Sequence, residues 1–162
     1  MTAIRMRLTK PFRYGISVCG LTLAVLLSSA PQFETASAHS YKIGKIAIGH
    51  FWAPPTAPGA SGAAVYGPLF NRGTEAAQLI GASSPLADRV RFRIDAGGRT
   101  EWPETVQLVP GKPLAMAPWR VHLWLERLHT PLAAGTHIPL TLDFGGIGQK
   151  TIEVIVERSA SD

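Results

Sequence analysis

His122 and Trp124 place an imidazole and an indole two positions apart in Val121-His122-Leu123-Trp124-Leu125-Glu126. Val121, Leu123 and Leu125 alternate with His122, Trp124 and Glu126, which predicts a strand that buries the first row and presents the second. An imidazole offers a nitrogen lone pair to a metal. An indole face attracts a cation but supplies no strong lone pair. His-x-Trp on a strand is therefore either a donor and a cap for a soft metal or a half-buried sheet face. Further donors are few. Met116, six residues before His122, sits at an apolar strand position and reads as core filling. His39 would bring an α-amine and an imidazole together if the chain were cut after Ala38, a nitrogen donor pair for a metal. His50 could approach if that terminus folds back, so a site from His39, His50 and His122 is possible in number. His129 and His137 flank a turn and read as solvent-exposed.

The elements that must position these residues begin after an address. Arg5, Arg7, Lys10 and Arg13 precede an apolar run from Gly15 to Ala30, and Ala36-Ser37-Ala38 places small residues before a cleavage point. The run is shorter than the roughly 20 residues that span a bilayer. Residues 1–38 are thus expected to be a secretory signal peptide cleaved after Ala38, leaving 39–162 as one exported domain without stable membrane insertion. The whole chain carries 16 basic and 11 acidic residues, a net of +5. Four of those basic residues and one acid (Glu34) precede His39, so the remainder has 12 and 10, a net of +2. That field is too weak to argue for nucleic acid or an anionic membrane. The one cysteine, Cys19, lies in the apolar run, and Val18 before it fits a lipoprotein cleavage site poorly. Residues 39–162 hold no disulfide, thiolate ligand or cysteine nucleophile.

Beyond residue 38, short segments of period two with Gly and Pro between them predict an all-β sandwich. The expected strands are Lys45–Trp52, Ala63–Phe70, Ala76–Ala82, Arg89–Ile94, Thr105–Val109, Leu114–Met116, Val121–Leu128, Ile138–Phe144 and Thr151–Glu157. The Pro-rich segment 54–60 must be a loop. No enzyme is expected. Ser83, Ser84 and Asp88 lack a Gly-x-Ser-x-Gly elbow, and Asp95, Glu101 and Glu104 are placed in a polar turn. Gly145-Gly146-Ile147-Gly148 joins two strands and precedes no helix, so it reads as a hairpin loop and not a phosphate cradle. Arg91, Arg93 and Arg120 form either a small basic patch for an acidic partner or a solvated strand face.

Several stretches together resemble the periplasmic copper chaperones of the PCu(A)C type. They are Ile48-Gly49-His50-Phe51-Trp52-Ala53-Pro54 with Pro58-Gly59, Gly62-Ala63-Ala64-Val65-Tyr66 with Asn71-Arg72-Gly73, and Leu79-Ile80-Gly81-Ala82-Ser83-Ser84-Pro85 with Asp88-Arg89-Val90. His122 through Leu132, Gly135 and Ile138 through Phe144 complete the set. The resemblance implies a cupredoxin-like Greek-key β-sandwich of about 8–9 strands, Cu(I) as cargo, and an acceptor such as the CuA subunit of cytochrome c oxidase. The family's site uses two histidines and two methionines. By the same resemblance the first histidine falls at Arg93, and the first methionine in a segment shortened here to 95–102. The final His-x-Met becomes His122-Leu123-Trp124, so His122 alone carries over. A guanidinium close to a cation costs roughly 4 kcal/mol at 4 Å in an intermediate dielectric. The expectation is an exported, copper-binding, chaperone-like protein with a degenerate or rearranged site drawn from His122, His39, His50 and Trp124. The alternative is a non-metal-binding periplasmic interaction module that kept the fold and lost the site.

Overall fold

The computed structural model describes residues 40–158, and no α-helix occurs among them. In chain order the first strands are β1 (Tyr41–Ile43), β2 (Ile46–Ile48), β3 (Phe51–Ala53), β4 (Gly62–Val65), β5 (Gly67–Asn71), β6 (Ala77–Leu79) and β7 (Gly81–Ser83). They are followed by β8 (Ala87–Ala96), β9 (Arg99–Glu101), β10 (Val106–Leu108), β11 (Pro113–Met116), β12 (His122–Leu128), β13 (His137–Asp143) and β14 (Gln149–Val156). The strands pair in the orders β4-β12-β8-β9, β3-β14-β13-β7, β1-β2-β5-β11 and β10-β6. All pairs are antiparallel except β3 with β14.

Inward rows meet in one core. Leu123 and Leu125 from β12 join Leu140 and Leu142 from β13 and Ile152, Val154 and Val156 from β14, none more than 1% exposed. Each such side chain contributes about 1.5–3 kcal/mol when fully withdrawn from water. With no cysteine among the described residues, this apolar interior and the strand ladders hold the fold.

Three expected strands are each two. Lys45–Trp52 breaks at Gly49-His50, Ala63–Phe70 at Tyr66, and Ala76–Ala82 at Ile80. At each break the chain leaves one sheet and joins another: β2 pairs with β5 but β3 with β14, β4 with β12 but β5 with β11, β6 with β10 but β7 with β13. At Tyr66 and Ile80 apolar residues continue through the corner because both halves feed the same core, so periodicity does not reveal the turn. Two strands were not expected at all. β1 folds back on β2 through Gly44 (φ 53°), and β9 folds back on β8 through Gly97 and Gly98 (φ 57° and 75°). Asp95 and Glu101 therefore lie on strands, not in a polar turn. Residues 54–60 form the expected loop, and Gly145–Ile147 is a short 3-10 turn joining β13 to β14.

Candidate functional site

His122 opens β12 and stands directly opposite Arg93 of β8; Trp124 stands opposite Arg91. Opposed residues of an antiparallel pair share a face with their Cβ atoms about 5 Å apart, so the sheet itself brings imidazole and guanidinium together. The expected presentation of His122 to solvent does not occur: it is 2% exposed. The ring of Tyr66, from the corner between β4 and β5, lies over it at 5.5 Å between centroids. The His122 Nδ1–H donates to the carbonyl of Arg120 at 2.9 Å. Its Nε2 is 3.8 Å from Asp95 Oδ2, beyond hydrogen-bond reach.

Arg93 is the hub of this face. Its Nε lies 2.9 Å from Asp95 Oδ2, and its guanidinium carbon stands 4.2 Å from the Trp124 ring centroid and 5.5 Å from that of Trp102. Arg91 covers Trp102 at 4.2 Å and pairs with Glu126 at 3.3 Å. Arg91 and Arg93 are thus engaged by aromatic rings and carboxylates, while Arg120 is exposed. The β8–β9 hairpin sets Thr100 opposite Asp95, and its hydroxyl donates to Asp95 Oδ1 at 2.7 Å. That hydrogen bond, with Arg93, holds the Asp95 carboxyl below its ordinary range. Burial pushes the Tyr66 phenol up, and the charge of Asp95 adds to the rise. Gly62 makes room for the Trp124 ring, since a Cβ there would lie 2.8 Å from it. The indole does meet a cation, as its chemistry suggests, but that cation belongs to Arg93.

The other histidines are dispersed. His50 lies at the corner between β2 and β3, not within a strand, and its Nε2–H donates to Glu157 Oε1 at 2.7 Å. His129 faces Asp88 at 2.8 Å, and Asp88 also takes Arg127 Nε at 2.6 Å; these bonds lower the Asp88 carboxyl, His129 first. His137 stands 3.5 Å from Glu153. Both are exposed, as expected. His39 lies outside the described residues, as do the signal segment and its cleavage point. No cluster of three or more His, Cys, Asp or Glu able to hold a metal occurs among the described residues.

Sequence reasoning missed Asp95 and Trp102 as partners of Arg93, and Tyr66 as the neighbour of His122. The signal for the first two was present in Ala96-Gly97-Gly98-Arg99, because a Gly-Gly pair is suited to a two-residue hairpin whose central φ values are both positive. Tyr66 had no such signal, since its ring reaches His122 from a corner between sheets.

Residues 46–156 match the family described as "Putative lipoprotein LpqE-like", and the chain belongs to that family. It is a PCuAC-type, cupredoxin-like β-sandwich, as the sequence resemblance implied. It is similar to the copper-bound PCuAC domain from PmoF2, at 28% identity over 75% of this chain and 99% of that one, with a TM-score of 0.66. The apo form of the PmoF2 domain gives 29% identity over 75% and 98%, with the same TM-score of 0.66. The solution structure of CuI-DR1885 from Deinococcus radiodurans, at 18% identity over 80% and 88% with a TM-score of 0.60, shares the fold. No curated protein matches the chain.

Proposed function

We propose that this chain is an exported copper-handling protein of the PCuAC type, a carrier and not a catalyst, whose inherited copper position is closed by Arg93. The observation that carries the reading is the Arg93 guanidinium, seated on Trp124 and paired to Asp95 beside His122. Where the family resemblance places a histidine, this chain supplies a permanent cation with its own anion and ring face. A metal on His122 Nε2 would displace Asp95 from Arg93 or sit against an uncompensated guanidinium. His122 is instead fixed by the Arg120 carbonyl and buried under Tyr66, so its role here is to hold the start of β12. Trp124 serves Arg93.

In this reading residues 1–38 are the signal peptide and 39–162 the periplasmic domain. Its surface meets a periplasmic or membrane copper acceptor, of which the CuA subunit of cytochrome c oxidase is the example the resemblance implies. The similarity to a copper-bound domain over nearly that domain's whole length supports the copper link.

The test is Cu(I) titration against a competing chelator. His122→Ala should leave the protein's Cu(I) affinity unchanged, while Arg93→His with Trp124→Met should create a His122-dependent site. Relief of roughly 4 kcal/mol of repulsion alone corresponds to nearly three orders of magnitude in affinity. Loss of Cu(I) binding in His122→Ala would overturn the closed centre.

A further inference from the structure

The sheet β1-β2-β5-β11 turns Ile46, Ile48, Leu69 and Met116 to the core. Its other face is open among the described residues. Lys42 stands opposite Ala47, Ala47 opposite Phe70, and Phe70 opposite Pro113. Directly opposed residues share a face, and Ala47 alternates with Ile46 and Ile48. One row therefore crosses all four strands on the outer side, about 14 Å from β1 to β11 at the usual strand spacing. Two residues along β5, Pro68 stands opposite Ala115. Lys42, Pro68, Pro113 and Ala115 are exposed, and Ala47 and Phe70 are half-buried.

Cations gather at one end of this face. The Arg72 N–H donates to the Lys45 carbonyl at 2.9 Å, which carries the β2–β5 pairing one step beyond Ile46 and Asn71. Lys42, Lys45 and Arg72, all exposed, line one cavity of about 390 Å³ together with Ala47 and no acidic residue. Glu75 borders the neighbouring cavity, of about 600 Å³, which Lys45 and Arg72 also line. No ion pair among the described residues uses Lys42, Lys45 or Arg72. Arg91, Arg93 and Arg127, by contrast, are each matched by a carboxylate. Three uncompensated cations beside an apolar sheet face attract an anionic surface and orient it.

We infer that this face docks an acidic segment of a protein partner, with Lys42, Lys45 and Arg72 pairing its carboxylates and Ala47 and Phe70 receiving its apolar side chains. Charge selects the occupant. A second copy docked face to face would set like charges against each other. Residues 1–38 carry four basic residues and one acid, so they match the face no better. A membrane calls for long apolar or aromatic side chains that reach outward, whereas the apolar residues here are alanine, proline and a half-buried phenylalanine. The inference rests on register and charge, and stands whether or not the chain carries copper.

Amide ¹H–¹⁵N spectra of the protein, recorded as a short poly-L-glutamate peptide is added, test it. Shifts should cluster at Lys42, Lys45, Ala47, Phe70 and Arg72 and fade as salt is raised. Lys45→Glu with Arg72→Glu should weaken binding about 10-fold or more. Arg99→Glu with Arg158→Glu makes the same change in net charge at exposed positions elsewhere and should leave the affinity as it was. All four side chains are exposed, so both variants should fold, and the parent's shift map is a readout that needs no variant. Absence of binding, shifts spread over every exposed cation, or equal weakening in the two double variants would overturn the inference. Phosphatidylglycerol vesicles form the last arm. Co-sedimentation with them that is lost in Lys45→Glu with Arg72→Glu would put a membrane in the partner's place and overturn it equally.

Discussion

Arg93 keeps its charge at any pH a protein survives, and here that charge is already matched by a ring face and a carboxylate. Replacing it with alanine removes the cation from Trp124 and should lower stability by about 1 kcal/mol, read as a shift in the urea midpoint. Arg93→Lys should recover only part of the loss, since an ammonium does not lie flat on the indole. Equal stability for all three proteins would show that the contact contributes nothing. At this scale the sequence was partly legible. The departure of Arg93 and Trp124 from the family pattern was visible, as was the electrostatic conflict between a guanidinium and a bound cation. The burial of His122 was not. Alternation assigns residues to two faces of a strand but does not say what covers each face, and the covering ring, Tyr66, stands at the corner where the chain leaves β4 for β5.

The corners between short strands explain why the elements were read too long. At Tyr66 and Ile80 the backbone changes partners while the side chains stay apolar, so the hydrophobic pattern runs on unbroken. Fold class was legible because it depends on that pattern; strand boundaries depend on pairing, which a local pattern does not encode. One buried polar residue pins such a segment. The Asn71 amide donates to the carbonyls of Glu75 and Leu108 at 2.7 and 3.0 Å, and its own oxygen accepts from Gly73 N–H at 2.9 Å. It is 2% exposed. Asn71→Ala should leave two carbonyls and an amide unmatched and cost about 1–3 kcal/mol, measured by chemical denaturation. A loss below a few tenths of a kcal/mol would mean that water replaces all three bonds.

Over the whole molecule, acid should act through Asp88 and Asp95. Both carboxyls lie below their ordinary value of 3.8 in the folded chain. A group whose folded pKa is depressed contributes stability that is present above its unfolded value and is lost as pH falls through the folded one. The thermal midpoint should therefore decline below about pH 4, and Asp88→Asn with Asp95→Asn should flatten that decline. An unchanged slope in the double variant would place the acid sensitivity elsewhere.

The closed centre can be examined in the unaltered protein by following the ring ¹⁵N resonances of His122 as Cu(I) is added. If Arg93 has taken the cation's place, Nε2 and Nδ1 of His122 keep their shifts through one full equivalent of metal. A large displacement of the His122 Nε2 resonance, saturating at that equivalent, would contradict the account and return the metal to the inherited position.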